Sequence, residues 1–125
     1  MFAAIVFTAL SVFVILFQLA LVFGAPWGEW TLGGKWRGAL PARVRLIPVI
    51  SIFIIAFFVG IALARAGVAM QAWSEWSQKG IWIVVAYCAL GVVANSATPS
   101  KRERRLWVPV LVVLLSSSLY LALQT

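Results

Sequence analysis

Four long apolar stretches recur along the chain, separated by short segments that hold nearly all of its polar and charged residues. The first runs from about Phe2 to Phe23 without a charge; at about 1.5 Å per residue it spans the roughly 30 Å of a hydrocarbon core. It lacks a basic leader, is longer than the apolar part of a signal peptide and meets Pro26 where cleavage would fall, so it is expected to be a retained helix. The second, Leu46 to Ala64, lies between the basic pair Arg43 and Arg45 and the single Arg65. The third is too short to cross if it begins at Gly80, so Trp76, Ser77 and Gln78 are expected to form its interfacial end, the depth that tryptophan prefers. The fourth, Leu106 to Leu123, follows TPSKRERR, in which Ser100 and Glu103 have the spacing of a helix capping box and Pro99 suits a helix start. Helix four is therefore expected to begin near residues 99–101, outside the apolar layer.

This pattern predicts an all-α polytopic membrane protein, a four-transmembrane-helix bundle forming a single domain over residues 1–125. Its spans are expected at about 2–23, 46–64, 76–94 and 106–123. The only substantial loop is loop one, Gly24 to Arg45, with five Gly, two Pro and three Trp in 22 residues. That composition predicts tight turns carrying aromatic rings at headgroup depth, not one continuous helix. Pro41 reads as a first-turn residue of a helix that starts ahead of the second span, and Pro109 as a kink inside the fourth.

Composition supports the same class. Of the 125 residues 64% are hydrophobic and 10% charged, against about 25% charged in an average soluble domain. There is no His or Asp, one Cys (Cys88) and three acids, Glu29, Glu75 and Glu103. Zinc sites, haem ligation by His, Ser-His-Asp triads and close carboxylate pairs therefore have almost nothing to work with. No metal, cofactor or catalytic residue is predicted, and the chain is expected not to be an enzyme. The net charge of +7 comes from ten Lys and Arg that flank apolar spans, which points to a membrane surface and away from nucleic acid.

Those basic residues also set an orientation. Loop one carries Lys35, Arg37, Arg43 and Arg45, and loop three carries Lys101, Arg102, Arg104 and Arg105, whereas loop two has only Arg65 and Lys79. By the positive-inside rule, loops one and three are expected in the cytoplasm of a bacterial inner membrane, near anionic lipid headgroups, with both termini outside.

Small and polar residues inside the spans suggest how the helices meet. Helix association in lipid depends on close backbone approach and interhelical hydrogen bonds. Ala56, Gly60 and Ala64 form a small-residue ridge on the second span, Gly91 offers a similar point on the third, and Thr8, Ser11 and Gln18 form a weakly polar stripe on the first. This favours a non-enzymatic bundle that associates with itself or with a larger membrane complex. The alternative is a small channel or carrier whose polar path is lined by Gln18, Tyr87 and Ser116 to Ser118, with Ser51 and Asn95 as further candidates. The most pointed loop feature is GAPWGEW, where Trp27 and Trp30 bracket Glu29, the only acid among the cations of loop one. Glu29 is read chiefly as a loop-organising ion pair or N-terminal cap, with Arg37, Arg43, Arg45 or the loop-three arginines as partners, and alternatively as part of a site for a cationic group.

The strings GAPWGEWTLGG, LPARVR and NSATPSKRERRLWVPV resemble those of a widespread group of small bacterial four-helix membrane proteins, over nearly the whole chain. The resemblance implies fold and membrane location but carries no ligand, substrate or activity. In size the chain also looks like the small multidrug transporters, but those hold an essential acid in helix one and this helix has none.

Overall fold

The computed structural model describes residues 2–36 and 38–124; Arg37 and the side chain of Glu29 lie outside that description. The protein is an all-α bundle of four helices, each long and apolar enough to cross a membrane: α1 (Phe2–Val22), α2 (Leu46–Arg65), α3 (Ser74–Ser96) and α4 (Lys101–Leu123). Consecutive helices pack as neighbours and α4 returns against α1.

The helix ends follow local chemistry. At α4 the Oγ of Ser100 accepts from the Glu103 N–H at 3.2 Å while the Ser100 backbone is extended (φ −79°, ψ 114°). The helix thus starts on its cationic segment, ahead of the apolar layer, and it runs on through Pro109. The α1 and α2 ends share another device. Ala25 N–H donates to Ala20 O (2.9 Å) and Gly24 N–H to Leu21 O (3.2 Å); Val68 N–H donates to Leu63 O (3.0 Å) and Gly67 N–H to Ala64 O (3.1 Å). This pairing satisfies the last carbonyls of a helix and needs a left-handed residue just beyond it, which Gly24 (φ +95°) and Gly67 (φ +75°) supply. After Pro41 the chain makes a turn before α2 begins at Leu46, so the helix starts later than its proline suggests.

Two apolar cores result. The larger lies in the half of the bundle nearest loop two and joins Phe7, Phe58, Ile61, Ile81, Val84, Cys88, Leu114 and Leu121. At its edge Trp73 and Trp76 pack around Phe57, with ring centroids 5.5 and 5.6 Å from it. A Cβ on Gly60 would lie 2.7 Å from the Trp73 ring. Gly60 therefore seats an indole rather than a neighbouring helix backbone, and along the expected ridge Ala56 is exposed while Ala64 is buried. Gly91 does face a helix, since its Cβ would meet Leu111 of α4 at 3.1 Å. At the loop-two end Arg65 donates to the Gln124 carbonyl, tying the end of α2 to the end of α4.

The smaller core joins Phe17 and Leu21 of α1, Leu40 and Val44 of loop one and Trp107 of α4. Loop one is thus folded back as a cap over this end of the bundle, built on two 3-10 turns at Gly28–Trp30 and Leu32–Gly34. In the same half α2 and α3 stand apart. Ahead of Phe58 the only buried residue of α2 is Pro48, and beyond Cys88 α3 has none.

Candidate functional site

The separation of α2 from α3 leaves a cavity of about 380 Å³ in the capped half of the bundle. All four helices line it: α1 with Ser11 and Gln18, α2 with Ser51 and Phe58, α3 with Tyr87, Cys88 and Asn95, and α4 with Trp107 and Leu114. Thr31 of the cap completes it from above. Each lining side chain is there for a local reason. Gln18 stands one turn before the end of α1, and Asn95 is in the last turn of α3, so their amides lie at the cavity's capped end. Tyr87 lies further from the cap, exposed at the side of the bundle, with its ring edge-on to Phe58 at 5.0 Å.

The lining is apolar apart from a few uncharged hydrogen-bonding groups, the common composition of a small-molecule site. Asn95 Nδ2 donates to the Gly91 carbonyl at 2.8 Å, and its amide oxygen has no partner among the described residues. Gln18 and Tyr87 form no side-chain hydrogen bond among the described residues. Among the described residues, none of those lining the cavity is charged. Leu90 is 70% exposed and Ala94 is also exposed, yet both border the cavity. It therefore opens sideways between α2 and α3, at the face that a bilayer would cover.

Of the polar residues singled out in the sequence, Gln18, Ser51, Tyr87 and Asn95 meet around this one space. Ser116, Ser117 and Ser118 do not. Their hydroxyls donate back to Val112, Val113 and Leu115 carbonyls at 2.8, 2.8 and 3.0 Å, the usual way for a helical serine to satisfy itself in an apolar setting. The α1 stripe divides as well, since Ser11 and Gln18 border the cavity while the buried Thr8 Oγ1 is without a hydrogen-bond partner among the described residues. Thr31 and Trp107 gave no sequence signal as lining residues. Their place depends on how the cap folds.

Trp27, Gly28 and Trp30 of GAPWGEW help to build that cap. Trp27 stacks on Phe17 at 5.8 Å. Trp30 lies under the Arg102 guanidinium at 5.6 Å, and its carbonyl accepts from Trp107 Nε1 at 2.6 Å. Arg45 donates from Nε to the Leu40 carbonyl at 2.9 Å, with its guanidinium beside Gly24. Arg43 is exposed, and any pairing of Glu29 with Arg37 lies outside the described residues. Trp27 and Trp30 thus turn to different neighbours. The acid buried at this end is Glu103, in the first turn of α4, where it is partnered.

No family model matches the chain, and neither a curated protein nor a solved structure shows significant similarity to it.

Proposed function

We propose that this protein is a non-enzymatic, membrane-embedded binding protein or carrier for a small molecule taken from the bilayer. The observation that carries this reading is the convergence of Gln18, Ser51, Tyr87 and Asn95, from three helices, on one cavity with a lateral opening. Polar groups inside a span are costly to leave against lipid, and here they border a space of ligand size. Among the described residues the lining holds no carboxylate, imidazole or amine to act as a base beside the Tyr87 hydroxyl and the Cys88 thiol, so the chemistry it supports best is hydrogen bonding and apolar contact. This takes the carrier alternative ahead of self-association, because the small-residue ridge of α2 is occupied in part by Trp73.

Native mass spectrometry of the purified protein tests the reading. The expected spectrum contains a retained small-molecule adduct of defined mass, and a Ser51→Trp variant that keeps its helicity and melting behaviour loses it. A parent protein that carries no adduct after mild extraction, and gains none when mixed with total membrane lipid extract, would overturn the assignment.

The proposed setting is a bacterial inner membrane with loops one and three in the cytoplasm. Exposed basic residues such as Lys35, Arg43, Lys101 and Arg102 would there add about 1 kcal/mol each of attraction to anionic headgroups. With Cys88 replaced by Ala, single cysteines at Lys35 and Lys101 are expected to be shielded from an impermeant maleimide in intact cells. A cysteine at Ser74 is expected to react. The reverse labelling pattern would invert the topology.

A further inference from the structure

The distribution of polar and apolar groups along the cavity narrows what it takes. Gln18, Thr31 and Asn95 gather at the capped end, whereas Phe7, Phe58, Cys88 and Leu114, with the hydroxyls of Ser11 and Tyr87 among them, line the deeper part towards the middle of the bundle. The amides thus sit at the capped end of a space that is mainly apolar further in. Its polar end offers amide and hydroxyl groups that both donate and accept and, among the described residues, no charge. Among the described residues, Arg45 of the cap donates to the Leu40 carbonyl, Arg102 of α4 lies over the Trp30 ring, and neither lines the cavity. An ionised head buried there would find no counter-charge among the described lining residues, and burying an unpaired charge is strongly unfavourable. The volume of about 380 Å³ is near the lower end of the range of about 300–1,000 Å³ for ligand pockets, which suits one chain better than two.

Building on the binding role above, we infer that the ligand is a single-chain amphiphile with an uncharged hydrogen-bonding head, a hydroxyl, carbonyl or amide. It enters sideways from the bilayer between α2 and α3. The head rests among Gln18, Thr31 and Asn95, and the chain runs inward past Tyr87 towards Phe58 and Cys88. Leu90 and Ala94, exposed yet bordering the cavity, form one side of the entrance.

The test compares three probes with the same eighteen-carbon chain: monooleoylglycerol, oleate and oleylammonium. Each is added at equal mole fraction to the parent protein in neutral detergent, and thermal unfolding is followed. Monooleoylglycerol is expected to raise Tm in a saturable way, with apparent affinity on the order of tenfold or more above either ionised probe. Gln18→Leu combined with Asn95→Leu is expected to remove that preference while leaving the ligand-free Tm near the parent value. Ala94→Trp, at the lipid-facing entrance, is expected to abolish the Tm shift.

Equal shifts with all three probes, or a larger shift with a charged one, would overturn the neutral-head assignment while leaving the cavity as a binding site. An adduct seen by native mass spectrometry without a shift from any of the three would overturn this inference alone. If neither adduct nor shift is seen, the binding role falls with it. An unchanged monooleoylglycerol shift in folded Ala94→Trp would overturn the lateral entrance.

Discussion

Trp107→Ala is expected to be the most damaging single substitution in the capped half, lowering stability by about 3–5 kcal/mol, as truncation of a buried aromatic side chain does. Trp107 is buried at the first apolar turns of α4 and belongs to the core that joins Phe17, Leu21, Leu40 and Val44. Its ring meets Phe17 edge-on at 4.8 Å and Phe13 at 6.0 Å. Its Nε1 donates to the Trp30 carbonyl at 2.6 Å, so one side chain fastens loop one to both α1 and α4. Because it also borders the cavity, its loss would open the space to the cap and weaken retention of the proposed ligand. Trp107→Phe keeps most of the ring contacts but leaves the Trp30 carbonyl without this donor, and is expected to cost about 1–3 kcal/mol. Trp82→Ala is the control, since that ring is 46% exposed on the outer face of α3. Unfolding by sodium dodecyl sulfate titration in mixed micelles measures all three. Equal losses for Trp107→Ala and Trp82→Ala would mean that the cap is not anchored by this indole.

The second large effect is expected at Gly28. A Cβ there would lie 2.1 Å from the Trp36 carbonyl oxygen and 2.7 Å from that of Gly38, both backbone atoms that cannot rotate away. The Gly28 N–H also donates to the Gly38 carbonyl at 2.8 Å, closing the loop on itself. Gly28→Ala must push these strands of the loop apart. The expected cost is about 2–4 kcal/mol, combining overpacking of about 1–3 with a hydrogen bond worth about 1. Gly38→Ala separates close approach from backbone conformation. Gly38 has φ +75° with nothing within 4 Å of a built Cβ, so its substitution is expected to cost only the left-handed penalty of about 1–2 kcal/mol. Because Thr31 belongs to the same loop and borders the cavity, Gly28→Ala should also reduce retention of the proposed ligand. A smaller loss for Gly28→Ala than for Gly38→Ala in the same titration would contradict the closed loop.

The cap explains why GAPWGEW was legible as a feature but not as a structure. Glycine spacing and tryptophan content predict tight turns at the membrane surface, and the two 3-10 turns agree. Which atoms those turns bring together depends on surfaces supplied by distant segments. Leu40 and Val44 become core residues only because the ends of α1 and α4 present Phe17, Leu21 and Trp107 to them. Gly60 illustrates the same limit inside a span. Its spacing from Ala56 and Ala64 reads as a ridge for another helix, but any close-fitting group satisfies the small residue, and the group that arrives is the Trp73 ring from the turn before α3.

What the sequence determined by itself is the part governed by local and solvent chemistry. Apolar runs of bilayer length must become helices, because lipid offers no partner for an unpaired backbone group. Their ends follow from Ser100 with Glu103 at α4 and from Gly24 and Gly67 beyond α1 and α2, whose hydrogen bonds close within a few residues. What the tertiary structure decided is which faces turn inward. A helix bathed in lipid is apolar all round, so hydrophobic periodicity does not mark its buried side as it does in water. The serine run and the Gln18 stripe therefore looked equally fit to line a polar path. Packing separated them: Ser116 to Ser118 satisfied themselves on their own helix, while Gln18 met Ser51, Tyr87 and Asn95 where α2 and α3 part.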